Sequence, residues 1–156
     1  MGEGSEHGTV DPAIISALNR CIEACIDGEK GYGIAAADVR DAELKTELID
    51  RARARGEYAI TLQRLVEKLG AFAENQGTNK GALHRGLMDA RLALGGRSDA
   101  VVLEECLRGD GAAIAVYEES MKRVEEEGAS EEIRGALLSQ LNALRYAFVE
   151  LRKRLP

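Results

Sequence analysis

The sequence predicts an all-α protein, a four-helix bundle of two antiparallel helical hairpins joined by a long crossover that contains a short helix. Four long segments carry apolar residues at helical spacing and are bounded by capping signals. The connections inside each pair are tight, whereas the segment between the pairs is long. We expect one domain over residues 11–156, after a disordered tail over residues 1–10.

The first hairpin is predicted over residues 11–70. Its first helix begins at Asp11-Pro12, an N-cap followed by proline at the first helical position, and runs to about Val39. Its second helix begins after Asp41 and ends at Leu69-Gly70, with glycine in the position just past the helix. The two-residue connection between these helices predicts an antiparallel pair.

The second hairpin is predicted over residues 98–156. Its helices begin after Ser98 and after Ser130, and they run to about Glu126 and Leu155. The crossover occupies residues 71–97, and residues 81–94 read as a short amphipathic helix. A crossover of this length can return the chain to the starting end, which indicates the one-crossover bundle topology.

A short phrase of the first helix recurs in the third, in the same phase of the apolar row. Residues 22–29 read Ile-Glu-Ala-Cys-Ile-Asp-Gly-Glu, and residues 103–110 read Leu-Glu-Glu-Cys-Leu-Arg-Gly-Asp. Each copy ends in a carboxylate, Glu29 or Asp110, on the row that should face the core. This internal repeat predicts two inward carboxylates in a duplicated bundle.

Three further polar side chains fall on inward rows: Arg51 and Arg55 of the second helix and Gln140 of the fourth. An isolated buried carboxylate would cost several kcal/mol, so either a metal ion or an arginine must compensate it. Glu29, Arg51 and Arg55 lie at similar distances from the first turn. We therefore predict a buried ion pair of Glu29 with Arg51 or Arg55, and the alternatives are a carboxylate-based metal site and side chains that reach solvent. The partner of Asp110 stays open, because Asp110 can lie level with Gln140 or nearer to Ala147 and Phe148.

Composition excludes several classes of function. A net charge of −6 with interspersed signs argues against a nucleic-acid partner. No apolar run approaches the roughly 20 residues of a membrane span, and the polar N-terminus is not a signal peptide. Three cysteines are an odd count that favours reduced thiols over a disulfide framework. We expect a cytoplasmic protein without a membrane partner.

The chain resembles a bacterial domain-of-unknown-function family in the ferritin-like superfamily, over about residues 13–155. The stretches that carry the resemblance are Asp27-Gly28-Glu29-x-Gly31-Tyr32, Asp41-x-Glu43-Leu44-Lys45, Gly81-Ala82-Leu83-His84-Arg85-Gly86-x-Met88-Asp89 and Leu103-Glu104-Glu105-Cys106-x-Arg108-Gly109. The resemblance implies a four-helix bundle and no established activity.

Ferritin-like di-iron proteins carry a Glu-x-x-His pair on each of two helices and one Glu on each of the others. Here Glu57 is followed three residues later by Ile60, and Glu150 by Lys153. The chain has only two histidines, in the tail and at His84 of the crossover. The sequence therefore excludes a standard di-iron or di-manganese centre.

The roles of the two seam cysteines and of the crossover histidine each have two interpretations. Cys25 and Cys106 lie on the seam and read as small core residues, with a thiolate metal site or a redox pair as the alternative. His84 reads as a structural hydrogen-bonding residue of the crossover, with a ligand or acid/base role as the alternative.

The leading functional hypothesis is a bundle without enzymatic activity or cofactor that works by self-association, as a dimer, or by partner binding, in the stress-related role that the superfamily suggests. Apolar positions off the seam are available for dimerisation: Ile15, Ile34, Ile60 and Val101. The alternative is a metal-binding protein or metal-dependent oxidoreductase that uses Glu29 and Asp110, with Glu57 or a cysteine as a further ligand. Its carboxylates would suit iron or manganese.

Overall fold

The computed structural model describes residues 11–77 and 98–156, which form four helices and no strand. The helices are α1 (Pro12–Asp38), α2 (Ala42–Lys68), α3 (Asp99–Glu126) and α4 (Glu131–Arg152). The all-α prediction is confirmed. The N-terminal tail, the predicted short helix of the crossover and His84 lie outside the described residues.

Each helix begins at the residue that its capping signal predicts. Asp11 accepts a hydrogen bond from the backbone N–H of Ala13 at 2.8 Å, and Asp41 accepts one from Leu44 at 2.7 Å. The Ser98 hydroxyl oxygen accepts a hydrogen bond from the backbone N–H of Val101, and that of Ser130 accepts one from Ile133, both at 3.3 Å. These side chains satisfy backbone donors that a helix start leaves unpaired.

The helix ends follow equally local causes. Gly70, with φ of 79°, and Gly128, with φ of 69°, adopt the left-handed conformation in which glycine is strain-free. The fourth helix ends at Arg152, three residues before the predicted Leu155. The last residues leave the α-helical hydrogen-bond pattern and form a 3₁₀-type turn. The Leu155 N–H donates to the Arg152 carbonyl at 3.1 Å.

Side-chain contacts between α1 and α3 establish that these helices are antiparallel. Asp99, at the start of α3, accepts from the backbone N–H groups of Arg40 and Asp41 just past the end of α1. At the other end, the Ser120 hydroxyl donates to the Ala17 carbonyl at 3.2 Å. Because α2 reverses the direction of α1, α2 and α3 run the same way.

Contacts between α2 and α4 show the same antiparallel relation. Lys68 at the end of α2 lies 3.0 Å from Glu132 at the start of α4. Glu47 near the start of α2 lies 2.7 Å from Arg154 just past α4. The end of α2 and the start of α3 therefore lie at opposite ends of the bundle.

Two apolar clusters fill the interior. The larger one includes Leu18, Ile22, Leu62 and Leu137. The smaller one, toward the α1–α2 turn, includes Val39, Leu48, Val102 and Leu151. Each helix contributes one buried polar group to the centre of the bundle, and these groups are called the polar layer below: the Tyr32 hydroxyl of α1, Arg55 of α2, Asp110 of α3 and Gln140 of α4. None of the described helices has the length and apolar character that a membrane crossing requires.

Candidate functional site

The polar layer is centred on an ion pair between α2 and α3. Nη2 of Arg55 lies 2.6 Å from Oδ1 of Asp110, and the two side chains are only 5% and 3% exposed. The Tyr32 hydroxyl of α1 donates to the other carboxylate oxygen, Oδ2. Asp110 thus ties three helices together through both of its oxygens.

Burial and charge act on this carboxylate in opposite directions. Removal from water raises the pKa of Asp110, while the Arg55 charge and the hydrogen bond from Tyr32 oppose that rise. Burial, together with the nearby carboxylate, raises the pKa of Tyr32 far above its usual range, so its hydroxyl stays a neutral donor. The Arg55 guanidinium also lies 5.8 Å from the centre of the Tyr32 ring, a cation–π distance.

A glycine of α1 makes room for the guanidinium. A Cβ placed on Gly28 would lie 3.0 Å from Nη1 of Arg55 and 3.2 Å from its Cγ. Nη1 is buried and has no hydrogen-bond partner among the described residues. The sequence signal for this contact is a glycine inside one helix and an inward arginine on the next, and only the packing of α1 against α2 brings the two together.

The predicted buried ion pair of Glu29 is wrong. Glu29 is exposed, and its Oε1 would lie 2.9 Å from a Cβ placed on Gly56 of the neighbouring helix. The missing side chain at Gly56 lets the long Glu29 side chain cross the edge of α2 and reach water. Asp110, at the matching position of the repeated phrase, is one methylene shorter and stays in the core.

Arg51 also has partners other than those predicted. Its Nη1 donates to the Ala147 carbonyl at 2.8 Å, and its Nη2 lies 2.8 Å from Oε1 of Glu47. Its side chain is 13% exposed, so it lies at the border of the core. Arg51 therefore links α4 to α2 through direct contacts, and its ion-pair partner is Glu47 of its own helix, not a central carboxylate.

A second chain of hydrogen bonds crosses the bundle beside the ion pair. The Tyr117 hydroxyl donates to Oε1 of Gln140 at 2.6 Å, and Nε2 of Gln140 donates to the Tyr58 carbonyl at 3.3 Å. Cys25 Sγ lies 2.9 Å from the Tyr117 oxygen. A tyrosine hydroxyl has a single proton, and that of Tyr117 is already engaged in the hydrogen bond to Gln140. The Cys25 thiol is therefore the donor in its contact with Tyr117.

These contacts fix the register that the sequence left open. Gln140 lies level with Tyr58, and Ala147 lies level with Arg51. Arg55 lies between those two positions of α2, so Asp110 lies between the levels of Gln140 and Ala147. Its partner is Arg55, not a residue of α4.

The remaining candidate residues do not converge on one place. Glu57 and Glu29 are exposed, Cys25 is buried and Cys106 is partly buried. Within residues 11–77 and 98–156, no group of three or more histidine, cysteine, aspartate or glutamate side chains is arranged to hold a metal ion. The structure groups instead Arg55, Asp110 and Tyr32, of which the sequence had singled out the first two.

The buried thiols give a pH-dependent prediction. Burial raises the pKa of the Cys21 thiol from 9.0 to about 12. Between about pH 9 and pH 12 the folded protein therefore holds a proton that the unfolded chain releases. The free energy of unfolding must fall as pH rises through this range. We expect the free energy of unfolding to fall by up to about 1.4 kcal/mol per pH unit for this group. Chemical denaturation between pH 8 and pH 11 measures it.

A matched variant isolates the contribution of Cys21. Cys21→Ala removes one titrating thiol and is expected to flatten the decline above pH 9. Burial also raises the pKa values of Cys25, Tyr32, Tyr58 and Tyr117, and these groups contribute to the slope that remains. An unchanged slope in Cys21→Ala would contradict the assignment.

The fold and the polar layer define a class of protein: an all-helical four-helix bundle whose centre is closed by a buried ion pair. The chain belongs to the family described as "Domain of unknown function (DUF2383)", which matches residues 13–123.

One solved structure shares the fold over nearly its full length. It is "YcfI, a putative structural protein from Rhodopseudomonas palustris", with a TM-score of 0.73, 19% identity and coverage of 96% of each chain. At this identity the likeness shows the fold alone. No curated protein matches the chain.

Proposed function

We propose that this protein is a ferritin-like bundle whose centre is closed by an ion pair in place of a metal site, and that it acts structurally, by self-association or by binding a protein partner. The single observation that carries the proposal is the contact between Arg55 and Asp110, 2.6 Å long and almost completely buried.

The course of the helices supports the ferritin-like part of the proposal. In that arrangement the second and third helices are parallel and joined by one long crossover. Here α2 and α3 run in the same direction, and the ends that the crossover must join lie at opposite ends of the bundle. The repeated phrase, which places one carboxylate on α1 and one on α3, agrees with a duplicated hairpin.

The chemistry of the centre supports the structural role. In ferritin-like di-metal proteins, inward carboxylates and histidines surround the ions. Here both oxygens of Asp110 are already bound, by a guanidinium and by a tyrosine hydroxyl. A fixed arginine charge at that place repels a divalent cation, and the other two carboxylates of the metal hypothesis, Glu29 and Glu57, are exposed.

A metal titration tests the proposal. Protein treated with chelator and then titrated with Mn²⁺ or Fe²⁺ by calorimetry is expected to bind no stoichiometric ion, and its melting temperature is expected to stay unchanged at a millimolar concentration of Mn²⁺. A site filled at 100 times its dissociation constant would instead stabilise the fold by about 2.7 kcal/mol.

Asp110→Asn is the matched variant for this titration. Binding of one or two equivalents by the wild-type protein, lost in Asp110→Asn, would overturn the proposal in favour of the carboxylate metal site. Ions that bind the wild-type protein and Asp110→Asn equally occupy the acidic surface and not the centre of the bundle. That result agrees with the proposal.

A further inference from the structure

The outer face of α4 carries large apolar side chains that the described part of the bundle leaves uncovered. Leu138 is 47% exposed, Tyr146 is 70% exposed and Val149 is 53% exposed. Leu138 and Val149 are three helical turns apart and therefore lie on one side of the helix. An exposed apolar row on one helix face is typical of a contact with another protein.

The residues of this face form a regular row at spacings of three and four, which we call the α4 stripe. All of its members are exposed. In chain order they are Glu131, Gly135, Leu138, Asn142, Tyr146, Val149 and Lys153.

The α4 stripe is complementary to itself when it is reversed about Asn142. Two positions at the same distance from Asn142 on either side carry opposite charges, a small and a large residue, or two apolar residues. The pairs are Glu131 with Lys153, Gly135 with Val149, Leu138 with Tyr146, and Asn142 with itself.

A two-fold axis through Asn142 would bring these pairs together between two molecules. Residue i then contacts residue j of the second copy, and j contacts i, as in every isologous dimer. Opposite charges meet at both ends, an aliphatic side chain meets an aromatic ring, and the absent side chain of Gly135 admits Val149. Two copies of Asn142 can exchange amide hydrogen bonds at the centre.

We propose that a second copy of this chain docks antiparallel along α4, centred on Asn142. The inference rests on the proposed function and names the partner that it leaves open. Packing of side chains at spacings of three and four places the helix axes about 8–10 Å apart.

The other exposed apolar pair of the described residues does not share this complementarity. Ile49 and Ile60, 44% and 48% exposed, lie on the outer face of α2. An antiparallel pairing that joins Ile49 to Ile60 also joins Lys45 to Arg64, and like charges that face each other across an interface disfavour it. Of the positions expected to support dimerisation, Ile15, Ile34 and Val101 are partly buried and only Ile60 is exposed.

Cysteine cross-linking tests the position of the axis. Asn142→Cys places two thiols against each other at the two-fold axis, where the distance between Cα atoms suits a disulfide. We expect mild oxidation to convert most of this variant into a covalent dimer on a non-reducing gel. Arg53→Cys, on the exposed outer face of α2, is the matched control and should stay a single chain.

Sedimentation tests the interface without cross-linking. The wild-type protein is expected to sediment as a dimer, and Leu138→Arg is expected to raise the dissociation constant at least 100-fold because the arginine meets an apolar partner surface. Ile60→Arg is the control of equal chemistry on α2 and should leave the dimer intact. Circular dichroism confirms that each variant is folded, and if Leu138→Arg unfolds, the cross-link decides.

The outcomes separate this inference from the proposed function. A wild-type dimer that resists Leu138→Arg, together with no cross-link through Asn142→Cys, overturns the α4 interface and leaves self-association standing. A wild-type monomer at every concentration tested overturns both the interface and self-association.

Discussion

Replacement of Asp110 with alanine is expected to lower the free energy of unfolding by about 3–5 kcal/mol. The change leaves the Arg55 guanidinium buried without a counter-charge, and it removes the acceptor of the Tyr32 hydroxyl. In the unfolded chain water binds the Arg55 guanidinium and the Tyr32 hydroxyl, whereas in the folded variant neither group keeps its Asp110 partner. Urea denaturation monitored by circular dichroism measures the loss.

The control for this variant is an exposed pair of the same chemistry. Asp50 lies 3.6 Å from Arg53 on α2, with both side chains at least 65% exposed. Asp50→Ala should change stability by no more than about 0.5 kcal/mol, because water screens this pair. Equal losses in the two variants would show that the central pair is not buried.

Tyr117→Phe is expected to destabilise the protein by about 1–3 kcal/mol. The ring remains and still fills its place in the core, but Oε1 of Gln140 loses its donor and the Cys25 thiol loses its acceptor. The cost arises from two buried polar groups without partners, not from a cavity. Thermal and urea denaturation of this variant should agree.

An exposed tyrosine supplies the comparison for Tyr117→Phe. Tyr146 is 70% exposed in the single chain, and phenylalanine keeps the ring that the proposed dimer packs against Leu138, so removal of the hydroxyl leaves no buried polar group unsatisfied. Tyr146→Phe should lie within about 0.5 kcal/mol of the wild-type protein. A similarly small effect of Tyr117→Phe would mean that its hydrogen bonds form no stabilising network.

The helices could be predicted from the sequence because their signals are local. Asp11, Asp41, Ser98 and Ser130 each satisfy backbone groups within the next three residues, so no knowledge of the fold is needed to interpret them. The inward positions of Arg55, Asp110 and Gln140 also followed from apolar periodicity, which depends on one helix at a time.

The partners of the central residues could not be predicted in the same way. Glu29 and Asp110 occupy matching positions of the repeated phrase, yet one is exposed and the other is buried. The difference depends on the length of the side chain and on Gly56, which belongs to another helix. Arg51 and Arg55 likewise share one face of α2, and only the position of Ala147 on α4 decides that Arg51 binds a carbonyl there.

Tyr32 shows a third limit of periodicity. Tyr32 is buried in the core of the bundle, but an apolar row along one helix does not say which polar group a buried hydroxyl meets. The contact with Asp110 needs the register of α1 against α3, which the described contacts at both ends of those helices define.

A double-mutant cycle on Arg55 and Asp110 tests whether a buried ion pair holds the centre of the bundle together. The free energies of unfolding of the wild-type protein, Arg55→Met, Asp110→Ala and the double variant give the coupling energy of the pair. We predict that the double variant is more stable than Asp110→Ala alone, with a coupling energy above about 2 kcal/mol, because each single change leaves a buried charge unpaired. Two effects that add to within about 0.5 kcal/mol would contradict the claim that an ion pair closes the centre of this bundle.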